Sequence, residues 1–371
     1  MWRTHSHRFN GPPIDKLQGS AFRIPTATPE SDGTLEWTAT TLALVEARAA
    51  GTTGIGFSYA DAATARLIND RLADIVVGCD ALSVGYCWEA MVTEIRNLGR
   101  PGICSMAIAA VDNALWDLKA RLLDLSLVSL LGQVRTSVPV YGSGGFTSYA
   151  IADLQEQLAG WTDQGIARVK MKIGREPEQD VSRVAAARAA IGPANELFVD
   201  ANGAYSRKQA LAMAQAFAEM DVSWFEEPVS SDDLEGLRLI RDRAPPGMDI
   251  SAGEYGYDSV YFRRMLQAGA VDVLQADATR CAGITGFMQA AALCQAFNLP
   301  LSSHCAPSIH VHPCCAAQPV RHLEYFYDHM RIEKMLFDGA LEPVNGELKP
   351  DLSRPGLGLE FKHADALRYA V

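Results

Sequence analysis

The sequence predicts an α/β protein whose larger part is a parallel (β/α) barrel, and two observations support this fold class. From residue 138 onward, short runs rich in β-branched and aromatic residues alternate with alanine-rich runs of helical period. Eight such strand runs occur at intervals of roughly 25 residues, which fits a closed barrel of about 200 residues. A doubly wound open sheet is the structural alternative, but eight successive units favour closure.

The barrel elements can be placed in chain order from these runs. The predicted strands are residues 138–141, 167–172, 197–200, 223–226, 249–253, 272–275, 301–304 and 322–326. Helical runs between them include residues 181–191, 207–219 and 283–297. The barrel is therefore expected to occupy residues 136–344.

Residues 1–135 are predicted to form a small α+β domain. Residues 22–37 contain prolines, polar residues and an Asp-Gly pair, which predicts a long loop. Residues 38–47 then predict a strand, and residues 105–131 have helical period up to a break at Gly132. The tail, residues 345–371, has no place among the barrel units and is expected to pack back on this domain.

Composition narrows the classes of partner. The chain has 371 residues, of which 48% are hydrophobic, and a formal net charge of −11, which argues against nucleic acid. Residues 1–7 lack the apolar run of a signal peptide, and no apolar span of about 18 residues occurs, so a cytoplasmic protein without a membrane partner is expected. The eight cysteines include no Cys-x-x-Cys pair and are expected to be reduced thiols.

A basic strand supplies the first candidate site residues. Lys170 and Lys172 are two residues apart, so both side chains point to the same face of the predicted strand. A solvated edge strand is the ordinary explanation of such a pair. The functional interpretation is a lysine base, with the pKa of Lys172 lowered by the ammonium group of its neighbour.

Polar residues also close the other predicted strands, where a parallel barrel carries its chemistry. The inward candidates are Asp200 with Asn202, Glu226, Glu254, Asp277, His304 and Glu324. Three acids on adjacent strands would repel one another without a cation, and oxygen ligands suit Mg²⁺. A lysine would lie on one side of this metal and His304 on the other, with Asp277 orienting the imidazole.

An ordered set of short motifs resembles the enolase superfamily, specifically its mandelate racemase-like subgroup. The motifs are residues 34–59, V-D-N-A-L-W-D at 111–117, K-x-K at 170–172, V-D-A-N-G at 199–203, W-F-E-E-P at 224–228, A-G-E at 252–254, Q-A-D at 275–277 and S-S-H at 302–304. The resemblance implies a modified (β/α)8 barrel of the (β/α)7β form. An N-terminal α+β capping domain, completed by the C-terminal tail, would cover its mouth.

The resemblance also implies roles for individual residues. Asp200, Glu226 and Glu254 would hold one Mg²⁺, while Lys172 and His304, the latter with Asp277, would be the two acid/base groups. Lys170 and a protonated Glu324 would bind the substrate carboxylate, and Asn202 a substrate hydroxyl. Phe22 and Arg23 of the capping domain would determine specificity, whereas Ser143 either contacts the carboxylate or is a turn residue.

The expected activity is Mg²⁺-dependent abstraction of the proton α to a carboxylate through an enediolate. Dehydration of a sugar acid to a 2-keto-3-deoxy acid is favoured, because Arg23 and the polar residues 25–33 do not suit an apolar aryl substrate. Racemisation or epimerisation of a 2-hydroxy acid is the alternative. The partner is then a small carboxylate, and a homo-oligomer is expected.

Other interpretations account for less of the sequence. A glycosidase with two carboxylates leaves Lys172 and His304 unexplained. A non-enzymatic binding barrel predicts the loss of at least one site residue, and none is missing. His310, His312 and Cys314 invite a zinc site, but residues two apart on a helix face different sides. Glu227 is expected to point out of the barrel or to be structural.

Overall fold

The computed structural model describes residues 11–371, and the N-terminal residues 1–7 used above lie outside this range. Its N-terminal part is an antiparallel sheet in the order β1-β2-β3 followed by helices. The strands are β1 (Lys16–Ser31), β2 (Glu36–Ala49) and β3 (Thr52–Tyr59). The helices are α1 (Ala63–Leu67), a π-helical turn (Ile68–Leu72), α2 (Ala73–Val76), α3 (Val84–Glu94), a 3₁₀ turn (Ile95–Asn97), α4 (Ile103–Leu122) and α5 (Leu127–Leu131).

Two predictions for this domain were wrong in detail. The predicted loop at residues 22–37 is mostly strand β1, which pairs with β2 on both sides of an irregularity between Pro25 and Glu30. Prolines are tolerated there because β1 is an edge strand with one unpaired side. The predicted helix at 105–131 is two helices, separated by Asp124 in the left-handed region at φ +53°.

Helix α4 packs closely on the sheet because strand β3 carries glycines at the contact. A Cβ added at Gly54 would lie 2.4 Å from Leu118 N, and one at Gly56 would lie 2.2 Å from Ala114 N. These glycines therefore serve helix–sheet contact rather than phosphate binding.

The predicted barrel is confirmed. Its strands are β4 (Val138–Gly144), β5 (Arg168–Lys172), β6 (Glu196–Asp200), β7 (Val222–Glu226), β8 (Asp249–Ala252), β9 (Val273–Ala276), β10 (Leu301–Ser303) and β11 (Val320–Phe326). They pair in parallel in chain order, and β11 pairs with β4 to close the ring. The helices are α6 (Ile151–Asp163), α7 (Pro177–Ile191), α8 (Arg207–Ala218), α9 (Leu234–Arg243), α10 (Ser259–Ala268), α11 (Gly283–Phe297), α12 (Pro307–Ala316) and, after the eighth strand, α13 (Tyr327–Leu336).

Side chains inside the barrel form layers. Tyr141, Phe198, Trp224 and His322 are buried ring side chains in mutual contact, and we call them the aromatic floor. Because residues two apart on a strand share a face, the next inward residues after the floor lie one layer nearer the C-terminal ends of the strands. That layer forms the barrel mouth.

The C-terminal tail contacts both parts of the chain. Its elements are β12 (Phe337–Asp338), β13 (Glu347–Leu348), β14 (Glu360–Phe361), α14 (His363–Ala366) and a 3₁₀ turn (Leu367–Tyr369). Strand β13 pairs with the first barrel strand β4. Farther along, Leu357 N donates to Asp117 Oδ1 of helix α4 at 2.6 Å, and Ala370 forms a bridge with Phe22 of β1. The tail thus completes the capping domain after first extending the barrel sheet.

The turn between β1 and β2 lies against the barrel mouth. A Cβ at Gly33 would come within 2.5 Å of Ala201 O, so only glycine allows this approach. The Ser31 hydroxyl hydrogen-bonds with that of Thr147 at 2.6 Å, and Glu36 pairs with Arg175 at 2.8 Å. The capping sheet is therefore held over the ends of the first barrel strands.

Two expectations from composition can be compared with the structure. Within the described residues, no helix combines the length and apolar character that crossing a bilayer requires. All eight cysteines fall inside the described range and carry free thiols.

Candidate active site

Charged side chains fill the barrel mouth directly above the aromatic floor. Lys170 Nζ lies 2.5 Å from Glu226 Oε1, 2.8 Å from Glu324 Oε1 and 3.4 Å from Asp200 Oδ2. All four side chains are buried. Although burial favours the neutral amine, the carboxylates of Glu226 and Glu324 raise the pKa of Lys170 well above its usual range. Lys170 is therefore a fixed cation at the centre of the mouth.

The floor helps to position this cluster. Trp224 Nε1 donates to Glu226 Oε2 at 2.9 Å, which directs that carboxylate from two residues below. Lys170 Nζ lies 5.4 Å from the centre of the Tyr141 ring, within the range of a cation–π contact. The mouth is thus built on packed aromatic groups and not on a mobile loop.

A carboxylate triad occupies three neighbouring strand ends. One oxygen from each of Asp200, Glu226 and Glu254 lies within 4.8 Å of the others, and all three are buried. Glu254 Oε2 has no hydrogen-bond partner, and burial together with Asp200 raises the pKa of Glu226 well above its usual range. Three carboxylates that converge, one of them with an oxygen that has no hydrogen-bond donor, fit a hard divalent cation.

Lys172 is paired with this triad. Its Nζ lies 2.5 Å from Asp200 Oδ2. Burial lowers the pKa of Lys172, but Asp200 outweighs that effect and raises it above its usual range. The ammonium of Lys170 lowers the pKa of Lys172 as predicted, but the carboxylate of Asp200 at ion-pair distance has the larger effect. Asp200 responds in the opposite direction: despite burial, the two lysines lower its pKa to about 2.

His304 and Asp277 form a dyad on the other side of the mouth. His304 Nδ1 lies 2.7 Å from Asp277 Oδ2. Thr279 donates to the other oxygen of Asp277 from its backbone N–H at 2.6 Å and from its hydroxyl at 2.7 Å. Burial would raise the pKa of Asp277, but the hydrogen bond and charge of His304 hold it well below its usual range. The carboxylate therefore fixes the ring and leaves Nε2 directed into the cavity.

Glu324 differs from its predicted state. Burial favours the neutral acid, but the ammonium of Lys170 holds the pKa of Glu324 well below its usual range. The protonated Glu324 expected beside a bound substrate carboxylate is not the form favoured here, and it stays a prediction for the substrate complex. Its second oxygen, Oε2, accepts the backbone N–H of Cys305 at 2.8 Å.

A cavity of about 460 Å³ lies between the capping domain and the barrel mouth. Lys172, Asn202, Glu254, His304 and Glu324 all line it. The capping domain contributes further polar groups and one indole: Asp32, Trp37, Thr40, Thr41, Tyr59 and Asp61. The site is therefore shared between the two parts of the chain.

The structure places three other candidates in different surroundings. Asn202 lines the cavity with its side-chain oxygen unpartnered, and its φ of +46° is of the left-handed kind that asparagine tolerates. Ser143 lies beside Lys170 in the sheet, buried and with an unpartnered hydroxyl, but it does not line the cavity. Glu227 lies outside the carboxylate triad, and burial together with Glu254 raises its pKa well above its usual range.

Phe22 and Arg23 are not brought to the site, so their predicted role in specificity was wrong. Phe22 is buried against Phe361 of the tail, with ring centres 5.3 Å apart. Arg23 lies next to it on β1, well before the turn that reaches the barrel. The reason is that residues 22–31, which were predicted as a loop, belong to the long strand β1, which carries the chain from Phe22 to the mouth.

Two side chains in the mouth, a guanidinium and a thiol, were not among the residues predicted from the sequence. Arg280, three residues after Asp277, lies 3.2 Å from Glu254 Oε1 and 3.7 Å from Asp277 Oδ2. Cys305 Sγ lies 3.3 Å from His304 Nε2. Cys305 directly follows the predicted strand 301–304, and Arg280 lies five residues after the predicted strand 272–275, so closeness to a strand end was the only sequence signal for either residue.

The zinc alternative at His310, His312 and Cys314 finds no support in the geometry. His310 Nε2 accepts the backbone N–H of Ala278 at 2.8 Å, and His312 Nε2 lies 3.1 Å from Leu357 O. These histidines satisfy buried backbone groups, and among the described residues they share no ligand cluster with Cys314.

Comparison with known proteins assigns the chain to a family. Residues 25–132 match the family described as mandelate racemase / muconate lactonizing enzyme, N-terminal domain, and residues 153–366 match the enolase C-terminal domain-like family. A mandelate racemase/muconate lactonizing enzyme-like protein from Rubrobacter xylanophilus superimposes with a TM-score of 0.95 at 54% identity, covering 97% of this chain and 100% of that one.

Relatives of named activity are more distant. A 3,6-anhydro-α-L-galactonate cycloisomerase from Streptomyces coelicolor is 33% identical over 326 residues, 85% of this chain and 88% of that protein. L-talarate/galactarate dehydratase from Salmonella typhimurium, liganded with Mg and L-lyxarohydroxamate, superimposes with a TM-score of 0.89 at 28% identity, covering 100% of this chain and 96% of that one. Two domain matches and full-length structural similarity agree: the chain belongs to the mandelate racemase/muconate lactonizing enzyme family of the enolase superfamily.

Proposed function

We propose that this enzyme removes the proton α to the carboxylate of a sugar acid and eliminates the β-hydroxyl as water, which gives a 2-keto-3-deoxy acid. The observation that carries the proposal is the pairing of two proton-transfer groups, Lys172 and His304, at opposite sides of a buried carboxylate triad. Strand β5, which carries Lys172, is separated from the His304 strand β10 by β11 and β4 in the closed ring.

Asp200, Glu226 and Glu254 would hold one Mg²⁺ in this proposal. Their buried, converging oxygens fit such an ion, and the Salmonella dehydratase structure contains Mg. Bound there, the ion would supply positive charge for the substrate carboxylate as negative charge develops on its oxygens.

The protein's own groups would do the remaining work. Lys170 binds one oxygen of the substrate carboxylate, and Glu324 binds the other after taking up a proton, which the incoming negative charge favours. Lys172 takes the α-proton as the neutral amine, a form that a cation held by Asp200 would favour by offsetting the carboxylate charge that raises the pKa of Lys172. The C–H electron pair forms a double bond to the carboxylate carbon, whose C=O pair moves onto oxygen and gives the enediolate. His304 donates a proton from Nε2 to the β-hydroxyl, the C–O bond breaks and water leaves. The resulting enol takes a proton at the β-carbon and releases the proton of its 2-hydroxyl group, which gives the 2-keto acid.

The polar cavity supports dehydration of a polyol acid. Thr40, Thr41 and Asn202 offer partners for substrate hydroxyls around the mouth. Arg23 does not line the cavity and does not contribute to this preference. Asp32 and Asp61 also line the cavity on the capping side and disfavour a second carboxylate, so an aldonate is favoured over an aldarate.

Racemisation or epimerisation is the second candidate. Its support is that proton-transfer groups on two faces of a substrate suffice for inversion, and that a structure described as a racemase with bound magnesium, from Streptomyces coelicolor A3(2), is 31% identical. The two candidates differ in product, because inversion forms no 2-keto acid.

A screen of sugar acids with Mg²⁺ tests the proposal. We expect 2-keto acid formation from at least one aldonate, its loss in EDTA and its recovery with Mg²⁺. Glu254→Gln should weaken Mg²⁺ binding and so raise the Mg²⁺ concentration that activity requires, while Glu178→Gln, at an exposed position on α7, serves as the control. Epimerised substrate without keto acid would favour the second candidate, and full turnover after metal removal would contradict both.

A further inference from the structure

The segment after strand β10 places a thiol beside the proposed acid. Cys305 follows His304, and its Sγ lies 3.3 Å from His304 Nε2. The backbone N–H of Cys305 donates to Glu324 Oε2 at 2.8 Å, and its carbonyl accepts from His310 Nδ1 at 2.8 Å. The thiol is therefore held in place on the cavity wall.

Three different ligand atoms converge at this point. One atom each from His304, Cys305 and Glu324 lies within 4.8 Å of the other two, and His304 Nε2 is 4.0 Å from Glu324 Oε2. Zinc bonds of about 2.0 Å to nitrogen and 2.3 Å to sulfur, at a tetrahedral angle, place those two ligand atoms roughly 3.5 Å apart. The observed nitrogen–sulfur distance is close to that spacing.

The groups behind these ligands also suit a metal. Asp277 Oδ2 holds His304 Nδ1 at 2.7 Å, which is the carboxylate–histidine pairing that orients zinc-binding imidazoles. Lys170 Nζ contacts Glu324 Oε1 at 2.8 Å, and Oε2 is the oxygen of Glu324 that faces Cys305. His304 Nε2, Cys305 Sγ and Glu324 Oε2 therefore face the same point, and Oε2 keeps a second lone pair besides the one that accepts the Cys305 N–H.

We propose that His304, Cys305 and Glu324 form a site for a thiophilic divalent cation such as Zn²⁺, and that its occupancy blocks proton transfer by His304. On binding, the thiol releases its proton to solvent and the sulfur, nitrogen and oxygen each donate one electron pair. The nitrogen–sulfur ligand set selects a softer ion than the all-oxygen triad does. The inhibition rests on the proposed function, whereas the binding does not.

The local charge balance permits this binding. Lys170 and Arg280 add positive charge close to the site, which weakens cation binding. The Cys305 thiolate, Glu324 and Asp277 carry three negative charges against them. Glu254 Oε2, 3.5 Å from His304 Nε2, belongs to the triad and brings the two sites next to each other. Binding must therefore be measured with Mg²⁺ present.

A direct binding experiment tests the site without any substrate. Co²⁺ added to the Mg²⁺-loaded protein should give the near-ultraviolet absorption of a cobalt–thiolate bond, and Zn²⁺ should remove it. Cys305→Ser should lose that absorption and bind Zn²⁺ roughly 100-fold more weakly or worse in competition with a chromogenic chelator. Cys79→Ser is the matched control, because Cys79 and Cys87 form a close thiol pair away from the barrel mouth.

The outcomes separate clearly. No thiolate absorption in the wild-type protein, absorption retained in Cys305→Ser, or absorption lost in Cys79→Ser instead would each overturn the site. Once a substrate is known, Zn²⁺ in the presence of excess Mg²⁺ should inhibit turnover of the wild type and of Cys79→Ser but not of Cys305→Ser. Zinc that binds through Cys305 and leaves turnover unchanged would overturn the inhibition and leave the proposed function standing. Failure to find any substrate bears on the proposed function alone.

Discussion

The barrel interior contains two layers that use the same strands for opposite purposes. Phe198 and Asp200 lie two residues apart on β6, and Trp224 and Glu226 lie two apart on β7. In the floor, Phe198 and Trp224 stack with ring centres 5.2 Å apart. In the mouth, the two acids instead meet Lys170 and each other.

This contrast shows which layer stabilises the fold and which layer performs the chemistry. Burying an aromatic ring is favourable, whereas burying a charged pair costs desolvation that its Coulomb attraction only partly offsets. A contribution to the stability of the fold therefore does not explain why one buried layer contains five or more ionised groups. We expect changes in the floor to affect folding and changes in the mouth to affect turnover.

The largest effect is expected at the dyad. His304→Asn removes the group that protonates the leaving hydroxyl, so turnover should fall by about 10²–10⁴-fold. The change should leave the unfolding transition close to that of the wild type, because His304 packs at the mouth and not in the floor. Steady-state kinetics and thermal unfolding of the same preparation measure both. A stable variant with normal turnover would remove His304 from the mechanism.

The floor should show the reverse behaviour. Phe198→Ala deletes a ring that contacts Tyr141 and Trp224, and we expect a loss of about 3–5 kcal/mol in the free energy of unfolding. Denaturant unfolding should be measured in EDTA, so that metal binding does not contribute. Phe361→Ala, at a partly buried ring on the tail strand β14, is a comparison that should cost less. A Phe198→Ala protein as stable as the wild type would show that the floor is not a packed layer.

A smaller effect is expected at the residue behind His304. Asp277→Asn keeps the size of the side chain but removes the charge that fixes the imidazole, so turnover should fall about 10- to 100-fold. The pH dependence of turnover should change as well, since the charge on Asp277 acts on His304. Unchanged rate and unchanged pH profile would mean that the two residues do not act as a dyad.

A pH-dependent effect is expected at an acid outside the mouth that has no lysine partner. Glu30 is buried near Asp328 of helix α13 and accepts from Trp37 Nε1 at 3.0 Å. Burial, and then the charge of Asp328, raise the pKa of Glu30 to about 8. Asp200, with two lysines, has a pKa of about 2. The comparison of layers thus predicts that an acid's partner, and not burial alone, decides its charge.

The sign of the pH effect follows from the folded and unfolded states. The unfolded chain loses the Glu30 proton near 4.5, whereas the folded protein keeps it up to about 8. The stability contributed by neutral Glu30 is therefore complete below about pH 4.5 and is lost as pH rises to 8, with a slope of at most about 1.4 kcal/mol per pH unit. Glu30→Gln should abolish this slope, so the difference in the free energy of unfolding between variant and wild type should change with pH, as denaturant unfolding from pH 5 to 8 would measure. A difference that does not change with pH would show that Glu30 is ionised in the folded protein.

Much of the barrel could be predicted because its signal is local. Alternation fixes which residues of a strand face inward, and position at a strand end fixes the layer, so Lys170, Asp200 and Glu226 could be assigned to the barrel mouth. The capping strand β1 could not, because its prolines and polar residues predict a loop until pairing with β2 is known. That single error moved Phe22 and Arg23 to the wrong place.

Charge states could be predicted less well than positions. The pKa of Lys172 depends on whether Asp200 or Lys170 lies nearer, and distances across strands are not encoded in spacing along one strand. The same limit applies to Glu324 and Lys170. Cys305 was missed for another reason, because its contact with His304 depends on a backbone with φ +52° that the sequence does not indicate.

The account's central claim is that the mouth carries two separate proton-transfer groups, of which Lys172 takes the α-proton. The most direct test of this claim is to monitor by NMR how the α-proton of a substrate aldonate exchanges with deuterium in D₂O. We predict that His304→Asn still exchanges the α-proton while forming little 2-keto acid. Lys172→Met should exchange none of the α-proton, and Lys208→Met, at an exposed position on helix α8, is the control. Exchange at the wild-type rate in Lys172→Met would contradict the claim.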